Sequence, residues 1–496
     1  MAQRAIDSPS GRSIATPHAL PFDLYPYQRE GVRQLLEWGA RGILADDMGL
    51  GKTRQAIAVL SAVRASGRAL VFTLASLKFN WQSELATLLP DLRVFSLDHA
   101  SDDIPPNAAA AAVIVSYTLA VRADVQKKLQ AVRWSMLIAD ESHSVKNPAA
   151  KCTKFVLKLA AKTPYVVLLS GTPMSRPKDL WTQINAVRPG MFGKAIFPAA
   201  LRLRPMSYRA LKDPNDPTMT FGERYCVPKP KHGPGGRMFI ELNGAASLDE
   251  LHRVLTRTCM IHRRKLDVLH DLPDKTREHQ IIARDPVRFE VPDAAKFNFI
   301  AEAVRALSAR KRQHIIKYLK DVVVPMLLED GTKKLIVFCN YHDTTDAILE
   351  LMREEHIAAV QYDGRTLRKQ AALDDFRDRA QVAVMGIKAA GVGLNITFCD
   401  WVVFAELLYG ADDHLQAEDR CYRIGQQNNV LCQYMIIENS VDELLWGMIQ
   451  KKARSASNVL HGTAKGLHSS RKRARTDSDD DDADDADDAA DAGDAR

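Results

Sequence analysis

The sequence predicts an α/β fold with two parallel sheets, each covered by helices, and three observations predict it. Short apolar runs alternate with helical patterns from Phe22 to about Arg188, and the alternation resumes in the second half of the chain. The runs are continuously aliphatic or β-branched, the composition of strands buried on both faces. Between the two series, glycine and proline are dense and the order of elements is irregular, as in "KPKHGPGGR", which predicts a small irregular insertion.

Taken in order, residues 1–21 are rich in Ser, Pro and Arg and predict a disordered arm. "RGILA", "ALVFTL", "AAVIVSY", "SMLIAD" and "YVVLLSG" read as the strands of a first lobe over 22–188. Helical patterns lie between them: Arg54 to Arg64, with Gly67 as a stop signal, and Phe79 to Leu89, stopped by Pro90. The insertion spans 189–284. "KKLIVFCN", "AAVQYDG", "QVAVMGI", "DWVVFAE" and "VLCQYMII" are the strands of a second lobe over 285–462, with a helix over Thr344 to Glu355. Beyond Gly462, a basic cluster joined to an acidic low-complexity tail over 463–496 has almost nothing to bury and predicts disorder. No repeat of fixed period is present.

Composition narrows the function classes. The chain has 496 residues, 46% hydrophobic and 26% charged, ordinary for a globular protein with more than one domain. Its seven cysteines are scattered, with no CxxC pair, so reduced thiols in an intracellular compartment are expected and a zinc site is not. The first residues lack the apolar core of a signal peptide and no run reaches membrane-spanning length, so a soluble protein with no membrane partner is expected. The net charge of +7 hides an asymmetry: Asp477 to Arg496 holds eleven Asp and one Arg, so the rest of the chain carries +17. That surplus is the electrostatic profile of a polyanion binder, although it equally describes a solvated basic surface.

"GILADDMGLGKT" has the strand, turn, helix context of a phosphate loop. Backbone N–H groups in a glycine-rich turn make an anion-binding concavity, the following helix points its positive end there, and a lysine reaches the outer phosphates. Asp47, Met48, Gly49, Leu50 and Gly51 form the loop, Lys52 is the phosphate lysine and Thr53 the magnesium ligand. The general pattern has glycine where this chain has Asp46, so the loop alone leaves an acidic turn as an alternative. Asp140 and Glu141 end the strand "SMLIAD", where a parallel sheet delivers side chains to its mouth. Asp140 is placed to hold Mg²⁺ and Glu141 to orient and deprotonate an attacking water. Arg420 and Arg423, in "QAEDRCYRIGQ", are spaced i, i+3 and predict one helix face. From a second lobe they suit arginine fingers. Gln28, in "LYPYQREGV", has the amide geometry to read an adenine edge.

These residues resemble the Swi/Snf-type branch of the superfamily-two helicases. The resemblance rests on "LYPYQREGV", "LADDMGLGKT", "LASLKFNWQSEL", "DESH", "LSGTP", "LIVFCN", "AAGVGLN" and "QAEDRCYRIGQ", in that order, across about Phe22 to Lys452. "ADDMGLGKT", "DESH", "RYC", "RRKLDVLHDLPDK" and "VVFAEL" are most similar to the annealing-helicase (HARP-like) branch. The resemblance implies two RecA-like lobes that close on ATP and Mg²⁺, with Gln416 joining Arg420 and Arg423 on the second lobe. It implies a DNA-stimulated ATPase that tracks double-stranded or forked DNA without reading sequence, and that anneals strands or regresses forks as a monomer. Three departures bear on DNA contact and coupling: the short "SGTPMSRP", Ala390 in "AAGVGLN", and "YGADD" at Tyr409 to Asp413 in place of Trp-Asn-Pro. The rival readings are a nucleosome remodeller, an RNA helicase and a non-catalytic DNA-binding scaffold. "RKRAR", Arg471 to Arg475, reads as a nuclear localisation signal, a cytoplasmic viral factory being the alternative location. The acidic tail is a candidate contact for histones or other proteins.

Overall fold

A computed structural model describes residues 22–64, 67–105, 111–193, 195–196, 219–232, 238–269, 271–290, 297–390, 394–408, 411–461 and 470–473, together with Ile14. The first lobe holds β1 (Arg41–Leu44), β2 (Arg68–Thr73), β3 (Arg93–Leu97), β4 (Ala111–Ser116), β5 (Trp134–Ala139) and β6 (Tyr165–Leu169). An antiparallel pair, β7 (Lys229–His232) and β8 (Met238–Glu241), follows. The two-residue β9 (Met260–Ile261) then completes the first sheet, whose order is β3-β4-β2-β5-β6-β1-β9 with every pairing parallel.

Strands β10 (Lys275–Arg284), β11 (Leu335–Cys339), β12 (Ala359–Tyr362), β13 (Val382–Gly386), β14 (Trp401–Phe404), β15 (Val430–Glu438) and β16 (Ser470–Arg473) form the second sheet. Their order is β12-β13-β11-β14-β15-β10-β16, again all parallel. The expected helices form at Lys52–Val63, Lys78–Leu88 and His342–Glu354.

Why these runs become strands follows from where alternate residues go. Successive side chains point to opposite faces, and both faces are covered. Ile43 and Leu70 join one apolar cluster while Leu44 and Val71 join the other. In the second lobe Ile336 and Phe338 face one cluster, and Leu335, Val337 and Cys339 the other. Each fully buried aliphatic side chain contributes roughly 1.5–3 kcal/mol, which makes a one-residue slip of these strands costly.

Among the described residues six strands differ from the sequence reading: β7, β8 and β9 form within the stretch read as irregular insertion, and β3, β10 and β16 each have a separate cause. β3 was not anticipated; it is an edge strand with a half-exposed pattern. β10 lies in the stretch read as irregular insertion, yet pairs with β15 from Lys275↔Val430 to Arg284↔Glu438. Its sequence, KTREHQIIAR, carries charge at alternate positions because those side chains make buried ion pairs, so no apolar run betrays it. β16 lies in the stretch read as disordered; β10 presents an open strand edge, and Ser470–Arg473 satisfies its backbone groups from Glu278↔Ser470 to Ile281↔Arg473. Residues 391–393 of "AAGVGLN", Tyr409 and Gly410 of "YGADD", and the acidic tail lie outside the described residues. No helix among the described residues is long and apolar enough to cross a membrane.

The helix Phe297–Tyr318 is anchored to the second sheet by a lysine. Lys311 Nζ donates to Met435 O at 2.7 Å and pairs with Asp442 at 2.8 Å, and the two side chains are 2% and 4% exposed. Removing one partner of such a pair leaves an uncompensated buried charge. Lys311→Ala is therefore expected to destabilise the protein by about 3–5 kcal/mol, with much of the loss restored in Lys311→Ala/Asp442→Ala. Urea unfolding followed by circular dichroism checks this, and an unchanged midpoint for Lys311→Ala contradicts it.

Candidate active site

The carboxyl end of β1 runs directly into the glycine-rich loop. Ala45 N and Asp47 N continue the pairing past the strand, donating to Ile261 O at 2.7 Å and Arg263 O at 3.0 Å. Gly49 and Gly51 have φ of 88° and 71°, the left-handed region where a side chain is strained. A Cβ on Gly49 would also lie 2.9 Å from Arg423 Cβ, so the second lobe approaches the loop backbone as closely as glycine permits. The helix Lys52–Val63 begins at the end of this turn and aims its N-terminus into the cleft.

Lys52 Nζ folds back over the loop, donating to Asp46 O at 2.6 Å and Asp47 O at 3.1 Å. Burial lowers its pKa, with the charges of Glu141, Asp46, Asp47 and Asp140 opposing. Gln28 Nε2 and Tyr27 Oη both donate to Leu50 O, at 3.0 and 3.2 Å, and Gln28 Oε1 accepts Tyr25 N at 3.0 Å. Gln28 thus lies against the loop. Asp46, the residue in the usual glycine position, is completely buried. Its Oδ2 accepts Gln55 Nε2 at 3.0 Å and pairs with Arg263 at 3.1 Å. Burial raises the Asp46 pKa, and the Arg263 charge acts against that rise.

β5 delivers the acidic pair. Asp140 Oδ2 accepts Trp81 Nε1 at 2.7 Å, while its Oδ1 accepts the Glu141 N–H at 2.9 Å. Burial, then the adjacent Glu141 charge, pushes the Asp140 pKa up to about 6. Glu141 sits in the left-handed region at φ 48° and pairs with His143 at 3.2 Å. Burial would raise the Glu141 pKa, but the His143 contact and the charges of Lys52 and Arg420 hold it below its ordinary value. Correspondingly, burial alone would lower His143, and Glu141 outweighs it to hold that imidazole above its usual range.

Arg420 and Arg423 meet this group from the second lobe, but not on a helix. The helix Ala411–Glu418 stops before them, and successive turns carry both; Cys421 N and Tyr422 N each bond to Glu418 O at 3.1 Å. Glu418 causes the stop to be rigid. It is fully buried, accepts Arg277 Nε and Nη2 at 2.6 Å each and Tyr434 Oη at 2.7 Å, and pairs with Lys275 at 2.9 Å. Burial opposes its ionisation, but the charges of Arg277 and Lys275 prevail and hold the carboxyl far below the usual carboxylate range. Burial lowers the pKa of both arginines, with the Glu141 charge acting against the shift at Arg420.

One cavity of about 420 Å³ is lined by Gln28, Met48, Gly49, Gly51, Lys52, Thr53, Asp140, Glu141, Arg420 and Arg423. Residues 368 positions apart, Lys52 and Arg420, thereby share one cleft. Three expected residues lie off its wall. Leu50 is buried, Asp47 turns its carboxylate to Lys265 N at 2.9 Å, and Gln416 Nε2 crosses the lobe boundary to Thr172 Oγ1 at 3.3 Å. Asn395, Asn80 and Glu84 also line the cavity. All three stand inside the motifs "LASLKFNWQSEL" and "AAGVGLN", although no site role follows for them from the sequence. Trp81, Arg263 and Lys265 stand inside quoted motifs, "LASLKFNWQSEL" and "RRKLDVLHDLPDK", but their contacts are long-range.

A phosphate loop on one parallel-sheet lobe and an arginine pair on the other, meeting in one cleft, define a two-lobed RecA-like fold. Residues 27–328 match the SNF2-related domain and residues 310–425 the helicase conserved C-terminal domain, so the chain belongs to the SNF2-related family. Among its relatives is the SWI/SNF-related matrix-associated actin-dependent regulator of chromatin subfamily A-like protein 1 homolog of Caenorhabditis elegans. It is 32% identical over 466 residues, spanning 90% of this chain and 63% of that protein. The DNA annealing helicase and endonuclease ZRANB3 of Mus musculus is 30% identical over 485 residues, 92% of this chain and 42% of the relative. The chain therefore spans about half the length of the curated relatives it matches. A solved Sulfolobus solfataricus SWI2/SNF2 ATPase core in complex with dsDNA is 21% identical, with a TM-score of 0.42 over 90% of this chain and 99% of that one.

The Glu418 cluster generates a prediction. Glu418→Gln strands Arg277 and Lys275 in the interior with their main counter-charge gone. A loss of about 3–5 kcal/mol follows, which lowers the melting temperature on the order of 10 °C. Differential scanning fluorimetry reads it, and a wild-type melting temperature contradicts the anchoring role.

Proposed function

We propose that the chain is an ATP-dependent double-stranded DNA translocase that remodels DNA structures by strand annealing or fork regression. The observation that carries this reading is the single cleft shared by the phosphate loop, the Asp140–Glu141 pair and the two arginines of the opposite lobe. The lobes are taken as 22–188 and 285–462, with 189–284 bracing them and lending β9 to the first sheet and β10 to the second. Relatives named as annealing helicases and chromatin regulators support the DNA-remodelling half of the proposal.

In this reading the N–H groups of Met48, Gly49 and Gly51, together with Lys52, bind the nucleotide phosphates, Lys52 leaving the Asp46 and Asp47 carbonyls to do so, while Asp47 N stays bonded to Arg263 O. Thr53 and Asp140 would hold Mg²⁺: a hydroxyl and a carboxylate line the cavity together, and the neighbouring carboxylate of Glu141 adds to the negative charge there. When bound, that ion neutralises the phosphate oxygens. Glu141, kept ionised by His143, accepts a proton from the attacking water. Arg420 and Arg423 stabilise the charge that develops on the transferred phosphoryl group. Gln416 closes the lobe contact at Thr172, and Gln28 turns from the loop to the base. Because half of the constellation comes from each lobe, turnover is tied to lobe closure, and closure on bound DNA produces a step.

DNA is gripped through phosphates, and the +17 body supplies the charge. The basic cluster Arg471 to Arg475 directs the protein to the nucleus, the acidic tail offers a contact for histones or similar basic partners, and the protein acts as a monomer.

Lys52→Ala and Glu141→Gln are each expected to abolish DNA-stimulated ATP hydrolysis while leaving DNA binding intact. Arg423→Ala should cost on the order of 10³-fold in kcat by arginine-finger precedent. Near-normal turnover in any of the three removes that residue's role. Duplex affinity, read by fluorescence anisotropy on unrelated sequences, should fall linearly in log–log form with salt, and affinity unchanged by salt contradicts phosphate-dominated binding.

A further inference from the structure

The short segment that leaves β9 touches both halves of the cleft from behind. Its backbone continues the ladder along the phosphate loop, with Asp47 N donating to Arg263 O at 3.0 Å and Lys265 N donating to Asp47 Oδ2 at 2.9 Å. Its side chains then diverge. Arg263 turns into the first lobe, where it pairs with Asp46 at 3.1 Å. The other oxygen of that carboxylate, Oδ1, is buried and accepts no hydrogen bond among the described residues. Lys265 turns into the second lobe, where its Nζ donates to Tyr422 O, pairs with Asp419 at 2.7 Å and lies 5.2 Å from the Tyr422 ring centroid.

These partners are adjacent to the groups on which hydrolysis depends. The Asp46 and Asp47 carbonyls hold the Lys52 ammonium. Asp419 and Tyr422 are the chain neighbours of Arg420 and Arg423. A continuous series of contacts therefore runs from Lys52 through the loop backbone and Lys265 to the arginine turns. It passes behind the cleft and never enters it, since neither Arg263 nor Lys265 lines the cavity.

We propose that Arg263 and Lys265 form a strap that positions the phosphate loop and the arginine turns relative to one another, Lys265 setting the arginines and Arg263 neutralising the aspartate built into the loop. The assignment rests on the reading of the cleft as an ATP site. Two features of the chain become intelligible together. The loop tolerates Asp46 where other phosphate loops have glycine because Arg263 supplies the counter-charge. The arginine turns need no helix to orient them because Glu418 anchors them on one side and Lys265 on the other. Lys265 and Arg263 are positioning residues: neither reaches a nucleotide.

The test uses the full chain carrying Lys265→Met or Lys265→Arg. Folding should survive Lys265→Met, because Asp419 keeps Lys275 at 3.3 Å. Misplacing reacting groups by about an ångström costs on the order of 10²-fold in rate, so Lys265→Met should lower kcat for ATP hydrolysis by roughly that factor with KM little changed. Lys265→Arg should recover most of it. Amide hydrogen exchange, which needs no turnover, should quicken in Lys265→Met over both 46–50 and 419–424. A kcat at the wild-type value, a loss confined to KM, or exchange that quickens in one lobe alone overturns the strap. A wild-type protein without hydrolysis overturns the ATPase reading instead, and the exchange result still decides whether the strap exists. As a second variant, Arg263→Met should weaken binding of a fluorescent ATP analogue, and adding Asp46→Gly should restore it; no recovery in the double variant contradicts the neutralising role.

Discussion

Glu418 is a carboxylate with no solvent exposure, and much of the molecule is arranged around keeping it charged. Arg277 grips both of its oxygens, Lys275 supplies a second cation, and Tyr434 donates from β15. The interaction ties three elements together: the strand that enters the second lobe, the strand beside it, and the end of the helix Ala411–Glu418. With that end fixed, the turns beyond it carry Arg420 and Arg423 to one place in the cleft. An isolated buried charge is expensive, and a pair of cations with good geometry offsets the cost. The arginines inherit their precision from a salt cluster that itself never touches the cleft.

The two lobes contribute opposite kinds of chemistry. The first brings backbone N–H groups, a lysine and two carboxylates; the second brings two guanidinium groups whose charge is made less comfortable by burial. Glu141 and Arg420 feel one another's charge across the boundary, which lowers the pKa of the first and opposes the fall in the second. Such a cleft is electrostatically balanced only when both lobes face it. Closure over such a cleft changes the free energy of a charged transition state rather than merely excluding water.

How much of this was legible in the sequence depends on the range of the interaction. Continuous apolar runs such as Ile336 to Phe338 announced buried parallel strands, since nothing but burial on both faces asks for that composition. The loop, Asp140–Glu141 and the arginine pair were legible because each is a short local pattern, and the cavity brings them together. β10 was not: its Lys275, Arg277 and Glu278 look like a solvated segment, and the carboxylate that justifies the first two lies more than 140 positions away. Asp46 read as a departure from the phosphate-loop pattern for the same reason, its partner Arg263 being 217 residues distant. The i, i+3 spacing of Arg420 and Arg423 suggested one helix face, whereas the helix ends at Glu418 and turns carry both, an end that spacing alone does not encode.

The central claim is that a cleft completed by both lobes couples ATP hydrolysis to DNA. Steady-state hydrolysis measured at low salt with no DNA, single-stranded, duplex and forked DNA tests it most directly. The account predicts a low rate without DNA and strong stimulation by duplex or forked DNA. A rate that is the same in all four conditions, while the protein still binds DNA, contradicts it.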